Sequence, residues 1–338
     1  MTNGLSGPRK QFLDVLRVLA TCAVVLMHVL TGATDVTDAS IVPEYRSLLL
    51  SVMDLVTWCV PIFLLISGYL FLNPERTLTY PVMIKKYCRR IALAILLFGV
   101  PYAASELVVT ERTFRIMMIP EALKMTLTGH TWSHMWYLYL ILFLYLITPL
   151  LKKVLRVLPV WAVVAMMAVI FLGSSVAPFL NKVLDVNSIP VLPDGGVYFL
   201  YYLCGYFFAV REVCVDKGRN VWLTAAVAVL ALGMILSRTL AGFSIQMAYN
   251  YPFTVLLAVL LFAAGWNGSI KKHRIPWQEA GALSFAVYLV HPVYVNLLYK
   301  FVKITPFTVL EQCGVQPAAK SIPLVPRLQT AHRIVPTP

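Results

Sequence analysis

Three residues with ionisable side chains lie in the first apolar segment of the sequence: Asp14, Arg17 and His28. Ionisable residues are costly inside a bilayer, so each of them is a candidate for function. Arg17 and His28 are eleven residues apart, which is about 20° more than three full turns of an α-helix. Both side chains therefore leave the helix on one face, roughly 16 Å apart along its axis.

Histidine is the usual general base for activating a hydroxyl nucleophile, because it exchanges protons near neutral pH. Asp14 precedes Arg17 by three residues, so on a helix it is close enough to pair with the guanidinium. The alternative is that Arg17 extends toward lipid phosphates while His28 only packs against another helix. The shared face favours a site in which His28 is the base.

The second apolar segment contains two further candidates, Asp54 and Ser67. Asp54 either orients His28 or is solvated at the membrane interface. Ser67 is followed by Gly68, which allows another backbone or a ligand to approach closely. The alternative for the Ser-Gly pair is ordinary packing of small residues between membrane helices. Pro61, between the two candidates, removes a backbone hydrogen bond and predicts a kink.

The densest basic cluster of the chain, Lys85-Lys86-Tyr-Cys-Arg89-Arg90, stands directly before the third apolar segment. Attraction to anionic lipids explains part of such a cluster. Adjacent arginines also provide forked donors that match phosphoryl oxygens. We therefore expect Lys86, Arg89 and Arg90 to contact a phosphate-bearing donor that arrives from the cytoplasm.

Two histidines, His130 and His134, precede the fourth apolar segment. Their spacing of four would place two metal ligands on one helical face, but no third ligand accompanies them. We therefore expect no metal site, and a loop or interfacial role for the pair. Trp136 follows them and fits an interfacial aromatic belt.

The last apolar segment contains Tyr288-Leu-Val-His291-Pro292, which places another histidine inside a membrane span. Ser284, seven residues earlier, lies on the same helical face. His291 is either a site residue or a packed histidine before a proline kink.

These candidates must be positioned by membrane helices. A chain of 338 residues that is 59% hydrophobic and 13% charged is typical of a polytopic membrane protein. We predict an all-α transmembrane helix bundle formed by residues 1–303, with about nine spans. The spans fall near residues 12–33, 47–72, 88–109, 135–151, 160–180, 196–210, 221–240, 252–267 and 280–300.

The basic residues predict the orientation of this bundle. With the N-terminus in the cytoplasm, the cytoplasmic segments hold sixteen Lys and Arg residues and the outer ones six, as the positive-inside rule requires. The net charge of +13 therefore reflects topology, and we expect the lipid bilayer as a partner and no nucleic acid. Residues 304–338 break the pattern, because they are Pro-rich, polar and basic on the outer face. We expect an atypical tail there, either disordered or produced by truncation or a frame shift.

With these motifs, the chain resembles the type 3 acyltransferases, integral membrane enzymes that transfer an acyl group, usually acetyl, to sugars and glycans outside the cytoplasm. The resemblance extends over residues 9–300. It rests on Asp14 and Arg17 with His28, on Val60-Pro-Ile-Phe to Ser67-Gly68-Tyr69, on Trp136-Tyr137-Leu138, and on Tyr288-Leu-Val-His291-Pro292.

The resemblance implies that His28 is the catalytic base, with Arg17 and Asp14 beside it, and that Arg89 and Arg90 contact the phosphates of an acyl-CoA donor. It implies acetyl-CoA as co-substrate, with no permanently bound cofactor. The acceptor would be a sugar or surface glycan, free or lipid-linked, and the location the bacterial inner membrane. The substrate pocket would include Ser67, Asp54, Trp136, Tyr288 and His291. Family members usually have a tenth helix and both termini in the cytoplasm.

A secondary transporter or exporter of a small acid or sugar is the alternative function, because polar residues on spanning helices also line transport pathways. Such transporters often show two related halves, and the sequence shows no internal repeat. A non-catalytic membrane sensor is the third possibility, although it would not require the pairing of Arg17 with His28.

Overall fold

The computed structural model describes residues 11–36, 43–193, 195–210, 217–239, 247–267 and 276–299. Within these ranges the chain is helical and contains no β-strand, which confirms the predicted all-α bundle. The helices are α1 (Gln11–Val36), α2 (Pro43–Val56), α3 (Cys59–Phe71), α4 (Tyr80–Val82), α5 (Arg89–Glu111), α6 (Met118–Leu127), α7 (Trp136–Val157), α8 (Val160–Phe171), α9 (Ala177–Leu184), α10 (Gly195–Val210), α11 (Lys217–Thr239), α12 (Pro252–Asn267) and α13 (Trp277–Leu297).

Six helical stretches in the described part of the chain are long and apolar enough to cross a membrane. They are Gln11–Gly32, Leu48–Phe71, Tyr80–Glu111, Ser133–Val157, Val160–Leu184 and Trp277–Leu297. Three shorter apolar helices, Gly195–Val210, Val221–Ile235 and Pro252–Trp266, fall where the other three spans are predicted. The chain is therefore a multi-pass membrane protein, whereas the count of nine spans and the orientation stay predictions. The proposed tail, 304–338, lies outside the described residues.

The second predicted span consists of two helices, because α2 ends at Val56 and α3 begins at Cys59. Pro61 has no N–H group to donate to the carbonyl of Thr57, so the α-helical hydrogen-bond ladder is interrupted there. The Thr57 hydroxyl instead donates to the Asp54 carbonyl at 2.7 Å and meets the Thr254 hydroxyl at 3.2 Å. The predicted proline kink is therefore a helix break.

The tightest helix contact lies between α3 and α10, and glycines make it possible. A Cβ atom on Gly68 would lie 2.0 Å from the carbonyl oxygen of Tyr202, and one on Gly205 would lie 2.2 Å from that of Leu65. These distances exclude any larger residue at either glycine without movement of the helices. The close backbone approach predicted at Gly68 is confirmed.

The first and last described helices, α1 and α13, run parallel and in contact. Near their N-terminal ends, a Cβ atom on Gly281 would lie 3.0 Å from the Asp14 carboxylate. Near their C-terminal ends, the Tyr299 hydroxyl donates to the Val29 carbonyl at 2.7 Å. This pairing brings residues from the two ends of the sequence to the same depth of the bundle.

The basic cluster is positioned by a loop that connects α3 to α4. The buried Lys152 of α7 donates to the carbonyls of Asn73 and Arg76, the latter at 2.8 Å. The Arg76 guanidinium lies 5.0 Å from the ring centroid of Phe71 and donates to the Tyr87 hydroxyl. The fixed loop leads into a π-helical stretch, Met83–Cys88, which joins α4 to α5.

Candidate active site

Three histidines from distant parts of the sequence form a cluster inside the bundle. The ring centroid of His28 lies 4.9 Å from that of His291 and 6.3 Å from that of His134. The rings of His134 and His291 are 5.6 Å apart, and each of these two residues is only 4% exposed. His28 itself is partly exposed. The structure thus brings the predicted base together with two more imidazoles.

The orientation of the His291 ring follows from the proline after it. Pro292 lacks the N–H that would pair with the Tyr288 carbonyl one helical turn earlier, so this carbonyl is available. The Nδ1 atom of His291 lies 2.8 Å from that carbonyl oxygen and 3.2 Å from that of Val287. Because a carbonyl can only accept, Nδ1 donates, and the neutral ring then has an unprotonated Nε2.

His134 lies in the short 3₁₀ turn Ser133–Met135 that enters α7. Its carbonyl accepts a hydrogen bond from the Tyr288 hydroxyl, and the Leu289 carbonyl interacts with its ring. The Tyr102 hydroxyl donates to the same Leu289 carbonyl at 2.7 Å, while the Tyr102 ring stacks on Trp132 at 4.3 Å. These contacts fix His134 between α5 and α13.

The two histidines for which a loop or interfacial role is predicted, His130 and His134, differ in burial. His130 is exposed, and its Nδ1 atom lies 2.9 Å from the Thr128 hydroxyl. His134 is buried in the cluster instead. Its burial depends on contacts with residues far away in sequence, which no local pattern encodes; the one local indication is its position immediately before an apolar run.

Asp14 and Arg17 form the predicted pair near the start of α1. The Arg17 guanidinium donates to the Asp14 carboxylate at 2.9 Å, and the Asp14 side chain is almost fully buried. Helix α1 continues unbroken from Gln11 to Val36, so the spacing of three turns between Arg17 and His28 is preserved.

Ser67 belongs to a group of buried hydroxyls that the sequence did not reveal. Its hydroxyl interacts with those of Tyr137 and Tyr145, both from α7. The Tyr137 ring centroid lies 5.8 Å from that of Tyr288, which in turn contacts His134. Polar side chains of α3, α7 and α13 therefore form a connected series from the histidine cluster to Ser67.

Asp54 and Trp136 have contacts away from the three histidine rings. The buried Asp54 carboxylate accepts a hydrogen bond of 2.9 Å from the backbone N–H of Met247. The Trp136 ring packs on Tyr198 and Tyr249, with centroids 5.2 and 5.8 Å away. Both residues thus contact the segment before α12, and Trp136 also contacts α10.

A cavity of about 400 Å³ lies along α5. The exposed Lys86, Arg89 and Arg90 line it at the start of the helix. The rest of its lining is apolar and consists of Leu93, Ala94, Leu97, Phe98, Phe285 and Leu289. Leu289 lines the cavity, and its carbonyl interacts with the ring of His134. The cavity therefore ends close to the histidine cluster.

The described residues contain no group of three or more His, Cys, Asp and Glu side chains that could hold a metal ion. Proton transfer and hydrogen bonding are chemistry for which imidazole side chains are suited. The imidazole cluster lies beside a cavity that carries basic side chains at its other end.

A family model described as an acyltransferase domain matches residues 10–324. This match includes every described helix, from α1 to α13, and extends past residue 304, where the composition of the sequence changes. No curated protein and no solved structure matches the chain.

Proposed function

This chain belongs to the type 3 acyltransferase family, and from that premise we propose that it transfers an acetyl group from cytoplasmic acetyl-CoA to a hydroxyl of a sugar or surface glycan, free or lipid-linked. We place it in the bacterial inner membrane. The membrane bundle and the family support an acyltransferase in general; the donor, the acceptor and the compartment are parts of the proposal.

The composition of the cavity along α5 supports acetyl-CoA as the acyl donor. Lys86, Arg89 and Arg90 provide cationic donors at its start, and the apolar lining continues along the helix. A coenzyme A thioester has the same polarity, with phosphates at one end and a long, less polar arm at the other. Arginines match phosphoryl oxygens with forked hydrogen bonds. The arm would then point toward Leu289 and the histidine cluster.

The observation that carries the proposal is that α5 extends from the basic patch, formed by Lys86, Arg89 and Arg90, to the histidine cluster. Arg89 and Tyr102 are thirteen residues apart, roughly 20 Å along a helix axis. Tyr102 lies 5.6 Å from His134 by ring centroids, and it hydrogen-bonds to Leu289, which also lines the cavity. One helix thus connects the basic patch to the cluster that contains the candidate base His28.

In the proposed reaction, His28 takes the proton of the acceptor hydroxyl while the hydroxyl oxygen bonds to the thioester carbonyl carbon. The carbon–sulfur bond then breaks, and coenzyme A leaves as the thiol after it receives that proton. In a second route, His28 first accepts the acyl group and then passes it to the hydroxyl. Arg17, paired with Asp14, supplies a positive charge on the same helix.

The test is acetyl transfer by membranes that contain the full chain, with radiolabelled acetyl-CoA and an envelope glycan fraction. The change His28→Ala should lower transfer by about 10²- to 10⁴-fold, the usual contribution of a general base. Cys22→Ala, on an exposed position of the same helix, is the control and should transfer normally.

Full activity in His28→Ala would contradict the assignment. Release of free coenzyme A is measured in parallel, because a transporter would carry its substrate without consuming the thioester. Absence of coenzyme A release from the unmodified protein would therefore favour the transporter alternative.

A further inference from the structure

Two buried nitrogen atoms of the histidine cluster lack a hydrogen-bond partner among the described residues: Nε2 of His134 and Nε2 of His291. Buried polar atoms are nearly always paired, so two neighbouring exceptions point to a ligand. The two residues are fixed by the fold, because the Tyr288 hydroxyl donates to the carbonyl of His134 and the Tyr288 carbonyl accepts from Nδ1 of His291.

The tautomer determines which kind of ligand can satisfy these nitrogens. Since Nδ1 of His291 donates to a carbonyl, Nε2 of the neutral ring can only accept. The Leu289 carbonyl likewise accepts a hydrogen bond from the His134 ring. Because Nε2 of that ring has no partner, the bond comes from Nδ1, and Nε2 of the neutral ring can only accept. A carbonyl or an anion offers no proton to such a nitrogen. A hydroxyl does, and one hydroxyl donates its proton to one such nitrogen.

His28 requires a further hydroxyl, because the reacting oxygen must donate its proton to the base. The three rings lie within 6.3 Å of one another by their centroids, so the hydroxyls that they bind must be neighbours in the ligand. Adjacent hydroxyls on one carbon skeleton meet this requirement.

We propose that the histidine cluster binds the acceptor through a vicinal diol: one hydroxyl donates to His28 and reacts, and its neighbour donates to Nε2 of His291 or His134. The inference rests on the proposed function and narrows its acceptor to polyols with adjacent hydroxyls. It also assigns His291 or His134 to acceptor binding. The cluster holds the nucleophile, and the thioester carbonyl must be bound elsewhere.

Two isomeric acceptors test the proposal on the unmodified protein. Propane-1,2-diol and propane-1,3-diol have the same composition, and only the first has adjacent hydroxyls. Transfer of the acetyl group from acetyl-CoA is measured for each in membranes containing the full chain. One additional hydrogen bond is expected to favour the 1,2-isomer by about three- to tenfold in kcat/KM.

Variants then show whether the preference comes from these nitrogens. His134→Phe and His291→Phe keep a ring but remove the acceptor atom, so at least one of them should reduce the preference, and both should leave the KM for acetyl-CoA unchanged. Glutamine at the position that matters, His134→Gln or His291→Gln, restores an accepting oxygen and should recover part of the preference. His130→Phe, at the exposed histidine four residues earlier, is the matched control and should keep it in full.

The outcomes separate this inference from the proposed function. If the unmodified protein acetylates envelope glycan but uses the two diols equally, or neither, the vicinal-diol proposal is overturned and the acyltransferase proposal stands. A preference that survives both phenylalanine variants also overturns it. If no acceptor, glycan included, receives an acetyl group, the proposed function itself fails.

Discussion

The histidine cluster and the basic patch lie near the two ends of the same cavity, and the fold positions them by different means. His28, His134 and His291 come from three elements separated by more than one hundred residues, and two of them are almost fully buried. Lys86, Arg89 and Arg90 come from one short stretch of sequence and are exposed. The cluster depends on how helices pack, whereas the patch depends on local sequence and charge.

This difference has consequences for substitutions. A change at a helix contact should disturb the cluster without touching any ligand, because the distances between rings are set by the packing of α1 against α13. A change in the patch should alter how the donor binds, and the effect should depend on salt. Three predictions test this contrast, in order of expected size.

The largest effect is expected at the contact between α1 and α13. A Cβ atom on Gly281 would lie 3.0 to 3.2 Å from atoms of Asp14, so Gly281→Val must push the two helices apart. A misplacement of about 1 Å can cost roughly a hundredfold in rate, and overpacking costs about 1–3 kcal/mol of stability. We expect losses of these sizes in acetyl transfer and in thermal unfolding of the detergent-solubilised protein.

Gly233→Val is the matched control, because no atom lies within 4 Å of the position that its Cβ atom would occupy on α11. It should transfer acetyl groups at the normal rate. Unchanged activity in Gly281→Val would mean that the cluster does not depend on this helix contact.

Local sequence rules predicted the parts of the site that lie within one helix. The pairing of Arg17 with Asp14 follows from their spacing of three, and the role of Gly68 follows from its missing side chain. The basic cluster before α5 was likewise visible as a run of charges. In each case the relevant partner or property is close in sequence or requires only a small residue.

The parts that join distant elements could not be predicted in the same way. His134 is buried among residues distant in sequence, and the hydroxyl of Tyr288, 154 residues later, donates to its carbonyl. Two tyrosines of α7, Tyr137 and Tyr145, face Ser67 only because α3 and α7 pack together. The kink was predicted at Pro61, but the helix breaks between Val56 and Cys59, because a proline removes the hydrogen bond to the carbonyl one turn earlier.

A smaller effect is expected from the basic patch. Arg89→Gln and Arg90→Gln each remove a charged donor to phosphate but leave the histidine cluster intact. Each should raise the KM for acetyl-CoA about tenfold, with kcat nearly unchanged, because a hydrogen bond to a charged group contributes about 1.5–3 kcal/mol and exposure reduces it. The KM is obtained from initial rates at low and high ionic strength. The difference in KM between each variant and the unmodified protein should become smaller at high salt.

Lys153→Gln controls for the loss of a positive charge elsewhere, since Lys153 is an exposed basic residue of α7 that does not line the cavity. A fall in kcat with unchanged KM in the arginine variants would contradict a role in donor binding. It would place the patch among the groups that act on the reacting atoms.

The smallest effect is expected at the ring that links the patch to the helix carrying His291. The Arg90 guanidinium lies 5.0 Å from the ring centroid of Phe285, a cation–π contact that holds the charge over the cavity. At exposed sites such a contact contributes about 0.5–1 kcal/mol. Phe285→Leu keeps an apolar wall and removes the ring, so the KM for acetyl-CoA should rise about two- to fivefold.

A double-mutant cycle decides whether this effect passes through Arg90 or through the cavity wall. If the ring acts by orienting the guanidinium, Phe285→Leu should have no further effect on the KM in the Arg90→Gln protein. Phe143→Leu, at an exposed ring of α7, is the control for the loss of an aromatic side chain. Independent, additive effects of the two changes would instead mean that Phe285 contacts the donor itself, and the apolar part of the cavity would then bind the acyl arm beginning at Phe285.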